Sequence, residues 1–281
     1  MSQPTQPDAN GPAIVTEKLT RRFGPAGSGL LAVHEMDLAV VRGQFFGFLG
    51  PNGAGKSTTI RMLTGLLAAT SGRIDILGID IEQDPVEVKR QIGVVPEGLA
   101  LFDRLTGAEY LSFAGRMYGL DRKTAAQRTA ELLEFMQLDD RPKTQIAEYS
   151  HGMQKKMALA AAVIHAPKVL FLDEPFESVD AIAAGTLKAM LSRMTSRGAT
   201  IFLTSHVLEI VERLCSHVGI IHKGQLVAQG SIEELRAGIE AKVTLREGGE
   251  AEPGKKLTLE EIFLEIVGGK RGAEQELSWL A

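Results

Sequence analysis

Apolar and polar positions change their period several times along this chain, and each change marks an element. Ile14–Thr20 and Leu31–Val41 alternate as half-buried strands do, with the turn-rich GPAGSG between them. Phe45–Leu49 is apolar throughout, which predicts a strand buried on both faces, followed by glycines and a helix over Lys56–Thr64. Ile74–Leu77 and Ile92–Val95 read as short strands flanking a polar helix near Pro85–Arg90. From Thr106 to Tyr149 the period lengthens to that of helices: Thr106 with Glu109 forms a capping box, Gly119 ends the helix, and Thr124–Leu138 carries apolar residues at helical spacing.

Strand and helix patterns then alternate again. Val169–Leu172 reads as a buried strand, Ala181–Ser196 as a helix ended by Gly198, and Thr200–Thr204 as the next strand. Val218–His222 and Gln225–Gln229 form a hairpin through Lys223-Gly224, and Ser231 with Glu234 caps a short helix. Residues 246–256 are polar and glycine-containing; Thr258 with Glu261 then caps a last helix through Val267, stopped by Gly268-Gly269. The predicted class is α/β with an implied parallel sheet, a mixed β start and a helical insertion. The expected divisions are a disordered lead-in over 1–13, a main domain over 14–238 with helices near 98–165, and a small extension over 239–281.

Composition narrows the function classes. The 281 residues are 44% apolar, enough for a large core. The longest apolar run, Met157–Ile164, is far below the roughly 18 residues that span a bilayer. The opening MSQPTQPDANGP is polar and proline-rich rather than a signal peptide, so a cytoplasmic site of action is expected. Cys215 is the only cysteine, which excludes an internal disulfide and a cysteine zinc cluster. The net charge of −4 and the scattered Lys and Arg residues speak against nucleic acid, and the six histidines lack ligand spacing, so no structural metal is expected.

The chemistry begins at residues 50–58, GPNGAGKST, which fit GxxxxGKS between a strand and a helix. Gly50, Gly53 and Gly55 let successive N–H groups curl around phosphates at a helix N-terminus, with Asn52, Ala54 and Thr58 as further nucleotide contacts. Lys56 neutralises the phosphates, and the Ser57 hydroxyl suits Mg²⁺. VLFLDEP at 169–175 places Asp173 and Glu174 just after a buried strand. Asp173 there would hold the metal directly or through water, and Glu174 would take a proton from, or orient, the water attacking the γ-phosphate of ATP or GTP.

With these motifs in order, residues 14–230 resemble the nucleotide-binding subunit of ATP-binding cassette (ABC) transporters. YSHGMQ at 149–154 is similar to the family signature LSGGQ, with Ser150 and Gly152 kept and His151 and Met153 in place of a glycine and a glutamine. The resemblance implies a P-loop NTPase core with a mixed sheet, an antiparallel β subdomain and an inserted helical subdomain. It further implies that ATP lies between two subunits, contacted by Ser150, His151, Gly152 and Met153 of the second, that Asp180 crosses the dimer interface, and that His206 is the switch histidine. Phe23 would lie under the adenine, and Glu97 occupies the metal-facing position where the family usually carries glutamine. The Y-S-x-G-M signature, Glu97 and the LEEIF stretch Leu259–Phe263 resemble the branch serving ABC-2-type exporters. The implied partners are a second ATPase subunit, as a homodimer, and an integral membrane permease that holds the chain at the inner face of the membrane. Soluble relatives acting on ribosomes or DNA ends fit less well, because a single cassette is present without a long coiled coil between its two nucleotide motifs.

Overall fold

The computed structural model describes residues 11–25, 29–247 and 257–268. In chain order, β1 (Pro12–Phe23), β2 (Leu30–Val41) and β3 (Phe45–Leu49) lead into α1 (Lys56–Leu63), and β4 (Ser71–Ile76), β5 (Ile79–Asp80), α2 (Pro85–Gln91) and β6 (Ile92–Val95) follow. Helices α3 (Gly107–Met117), α4 (Arg122–Phe135) and α5 (His151–Val163) come next with no strand between them. After these come β7 (Val169–Asp173), α6 (Ala181–Thr195), β8 (Thr200–Ser205), α7 (Leu208–Leu214), β9 (His217–His222), β10 (Gln225–Ser231), α8 (Ile232–Glu247) and α9 (Leu259–Val267).

The larger sheet runs β10-β9-β3-β8-β7-β6, parallel except for the β9/β10 hairpin; the smaller, β2-β1-β4-β5, is antiparallel. The fully apolar strands divide their side chains between two cores, as a two-residue period requires. Phe46, Phe48, Phe171 and Phe202 point toward the smaller sheet and α1, with Phe202 within 5.6 Å of the other three ring centroids. Phe45, Leu49, Leu170, Leu172, Ile201 and Leu203 point toward the helices of the opposite face. Gly47 lets α7 press on β3, since a Cβ there would lie 2.5 Å from Val211 Cγ1.

Several boundaries differ from the sequence expectations. β1 begins at Pro12 with Ala13 buried, inside the segment expected to be disordered; residues 1–10 lie outside the described residues. Helix α4 starts before Thr124 because Asp121 caps it, accepting from Lys123 N at 2.9 Å and Thr124 N at 3.0 Å. Helix α8 is not short: it runs to Glu247, and residues 248–256 of the polar break lie outside the described residues, as does Gly269. Helix α9 starts with the Thr258/Glu261 capping box and ends at Gly268, whose φ is 74°. Its Leu259 and Ile262 are buried against the helical-face core. The buried Arg236 ties the region together, reaching Glu212 at 3.0 Å, Glu233 at 2.6 Å and the Leu257 carbonyl at 2.7 Å. Among the described residues no helix is long and apolar enough to cross a membrane.

Candidate functional site

The loop between β3 and α1 is shaped by backbone freedom and close approach. Gly55, at φ 112°, caps α1, and a Cβ there would lie 2.5 Å from the Ala32 carbonyl oxygen; a Cβ on Gly50 would lie 2.4 Å from the Ile221 carbonyl oxygen. The amide of Gly224, in the β9/β10 turn, donates to the Ala54 carbonyl at 2.9 Å and braces the loop. Lys56 is buried, and its Nζ donates to the Gly50 carbonyl at 2.9 Å and the Pro51 carbonyl at 3.4 Å. Asn52 and Gly53 are exposed, while Thr58 is half-buried on α1.

Parallel pairing of β7 with β8 sets Asp173 opposite Thr204, at the carboxyl ends of the strands where α/β sheets place ligands. The Thr204 hydroxyl donates to Asp173 Oδ1 at 2.6 Å, and the Ser57 hydroxyl donates to the same oxygen at 3.3 Å. Glu174 follows in the left-handed region, at φ 48°, a costly conformation for a residue with a Cβ. Its amide donates to Thr204 Oγ1 at 3.1 Å. Its carboxylate is shared between Lys56, 3.7 Å from Oε1, and His206, whose amide donates to Oε2 at 3.2 Å and whose Nδ1 lies 3.0 Å from the same oxygen. Lys56, Ser57, Asp173, Glu174 and His206 therefore form one connected cluster. It offers a cation and backbone amides for phosphate oxygens, beside a carboxylate placed to handle a proton.

Other candidates lie apart from it. Ser150 caps α5, accepting from Met153 N at 3.3 Å, so the helix begins at His151 and the 150–153 segment forms its first turn. Gly152 faces Asp180: a Cβ there would lie 2.9 Å from Asp180 Oδ2. Asp180 caps α6 through Ile182 N and Ala183 N, both at 2.9 Å, and the bond from Ala183 holds its carboxyl below the usual range. No hydrogen bond among the described residues joins residues 150–153 to the Lys56 cluster. Glu97 is exposed and makes no hydrogen bond or ion pair among the described residues, so it does not join Ser57 and Asp173 here. Phe23, where a strand phenylalanine is ordinarily core, is 38% exposed with the Arg21 guanidinium 4.5 Å from its ring centroid. Sequence reasoning assigned no role to Thr204 or Lys155, although Thr204 lies two residues before His206; Lys155 Nζ donates to the Glu174 carbonyl at 3.2 Å.

Residues 33–177 match the family model described as "ABC transporter". The linearmycin resistance ATP-binding protein LnrL of Bacillus subtilis is 39% identical over 203 residues, which are 72% of this chain and 65% of that protein. The ABC transporter ATP-binding protein NatA of the same organism is 35% identical over 223 residues, 79% of this chain and 91% of that protein. A daunorubicin resistance ATP-binding protein of Streptomyces coeruleorubidus is 35% identical, covering 85% of this chain and 75% of that protein. Among solved structures, an ATP-binding subunit of an ABC transporter superposes with a TM-score of 0.78 at 29% identity, covering 90% of this chain and 99% of that one. A dimeric ATP-binding cassette bound to ADP and Pi shares the fold, with a TM-score of 0.72 at 20% identity over 78% of this chain and 98% of that one.

Proposed function

The chain belongs to the ABC transporter family as an ATP-binding, ATP-hydrolysing subunit, and from that premise we propose that it drives export through a separate membrane permease by closing and reopening a dimer around ATP. The observation that carries this reading is the Glu174 carboxylate, held between Lys56 and His206 next to the Ser57–Asp173 pair. Within it, residues 14–238 are the ATPase unit and 239–281 an extension.

The loop from Gly50 to Thr58 holds the phosphates through its amides and Lys56. Mg²⁺ fits the donors present: Ser57 Oγ and Asp173 Oδ1 are hard oxygens that already meet, and among the described residues no set of three His, Cys, Asp or Glu competes for a softer or more fully caged metal. When bound, Mg²⁺ supplies charge neutralisation on the phosphate oxygens. Glu174 orients or deprotonates the attacking water, and His206, bonded to that carboxylate, reads whether the γ-phosphate is in place. Phe23 is exposed, as a residue that stacks on adenine must be. Glu97, exposed on its loop, would be the further carboxylate available to the metal's water when Mg²⁺ is bound.

Ser150 to Met153 present the N-terminus of α5, with Ser150 and His151 exposed, and this turn supplies the second subunit's contacts to ATP, with Asp180 beside it. Such a bridge gives ATP its differential affinity for the closed dimer. A docking face for the permease is supported by the exposed Phe102, Phe113 and Met117; the Phe102 ring packs edge-on against Phe113 at 5.5 Å.

The test is the full chain carrying Glu174→Gln. It is expected to bind ATP, lose hydrolysis by about 10²–10⁴-fold and accumulate as a dimer with Mg·ATP in size-exclusion chromatography. Wild-type turnover by this variant refutes the role of Glu174. Affinity capture of the trapped dimer from solubilised membranes is expected to recover a multi-span membrane protein; soluble partners alone would overturn the transporter reading.

A further inference from the structure

Lys155, on α5, is only 2% exposed. Its stem lies in an apolar setting, beside a small cavity lined by Val95, Leu159, Leu172, Pro175 and Leu187. Burying an ammonium costs free energy unless it finds partners. Among the described residues the one hydrogen bond made by this ammonium goes to the backbone carbonyl of Glu174, at 3.2 Å. The charges of Glu177, Glu97, Asp173 and Glu174 act on it, yet none of these carboxylates lies within ion-pair distance. Burial lowers its pKa, and these carboxylates oppose that shift.

The carbonyl it holds belongs to the residue with the left-handed backbone. Glu174 at φ 48° needs outside support to stay there. Its amide is pinned by β8, through Thr204 Oγ1 at 3.1 Å and the Thr204 carbonyl at 3.3 Å. Its carbonyl is pinned by α5, through Lys155. The two sides of this one residue are thus fixed from two different elements. The second of these elements is the helix whose first turn is Ser150 to Met153, five residues away from Lys155 at its cap.

We propose that Lys155 is a positioning residue for Glu174, transmitting the placement of the α5 helix to the carboxylate that acts on water in the same chain. Engagement of the α5 N-terminus then bears directly on where the Glu174 side chain points. The inference rests on the role given above to Glu174.

The experiment compares Lys155→Met, Lys155→Gln and Lys155→Arg in the full chain, measuring steady-state ATP hydrolysis, ATP affinity and thermal melting. Met keeps the stem without a donor, Gln is too short to place one at the carbonyl, and Arg restores one. A displaced catalytic group costs about 10²-fold in rate, so the Met variant is expected to lose about that much kcat with ATP affinity and melting unchanged, and Arg to recover most of it. If Met fails to fold, Gln carries the same expectation. Wild-type kcat in the folded Met or Gln variant overturns the proposal, as does a loss of rate that merely follows lost ATP affinity and melting temperature. Glu174→Gln measured alongside separates two failures: an active Glu174→Gln sinks the role of Glu174 itself, whereas an inactive one beside an active Lys155→Met sinks only Lys155.

Discussion

The phosphate loop and the 150–153 turn are both built on helix N-termini, but they are finished to different degrees. Around the loop the charged side chains already have partners within the chain: Lys56 has the Gly50 carbonyl and Glu174, Asp173 has Ser57 and Thr204, and Glu174 has His206. Among the described residues the 150–153 turn has only its own cap and the neighbouring Asp180. One region is organised by tertiary pairing of distant strands; the other is held as an exposed helix end. On the proposed reading the first holds phosphate by itself, whereas the second contributes only when another subunit's nucleotide is brought to it.

Substitutions distinguish the two regions. The largest effect on ATP binding is expected from Lys56→Ala, which removes a charge-assisted contact worth about 1.5–3 kcal/mol and leaves Glu174 without its cation. ATP affinity should fall about 10- to 100-fold in a fluorescent-nucleotide titration; unchanged affinity would show that the loop does not hold phosphate through this residue.

A smaller and more selective effect is expected from Gly152→Val, whose Cβ would meet Asp180 Oδ2 at 2.9 Å and Ala183 Cβ at 3.2 Å. Turnover should drop roughly tenfold, by misplacement of the turn, with single-chain ATP affinity kept. Equal loss of both would erase the contrast between the regions.

The smallest effect concerns the far end of the same helix. His165, just beyond α5, stacks on Tyr118 at 3.6 Å between centroids, and its Nε2 lies 2.9 Å from the Ile92 carbonyl of β6. Burial holds its pKa below the ordinary value, and Arg128 adds to the shift. The unfolded chain therefore binds more protons below about pH 6.5. The stability due to neutral His165 is complete above that pH and is lost as pH falls. Denaturant melts from pH 7.5 to 5.5 should show this slope, and His165→Gln should flatten it; an identical slope in the variant removes His165 as its source.

Much of this organisation is legible in the residues. Phe45–Leu49, the glycines of the loop, the capping pairs Thr106/Glu109 and Thr258/Glu261, and the Lys223-Gly224 turn are local signals with local causes, and each appears where its pattern places it. Elements without a local signal were missed. Helix α7 has no side-chain cap, because Val207 stands at its start, and β5 is two residues long. Glu97 could be assigned only by position in a motif, and its side chain turns out to be exposed and unpaired among the described residues. Lys155 reads as one polar residue of a helix, and only packing reveals that water does not reach it.

By itself, the order of the residues determined the chemistry available: a phosphate loop, two acids after a buried strand, a histidine after the next, and a helix cap that stands apart. These depend on short-range rules of backbone freedom, hydrogen-bond capping and hydrophobic period. The tertiary structure alone decided which groups meet. Parallel pairing of β7 with β8 brought Thr204 to Asp173 across 31 positions of sequence, and the packing of α5 brought Lys155 to the Glu174 carbonyl. Such contacts depend on how strands are ordered and helices laid over them, and no local stretch of sequence carries that information.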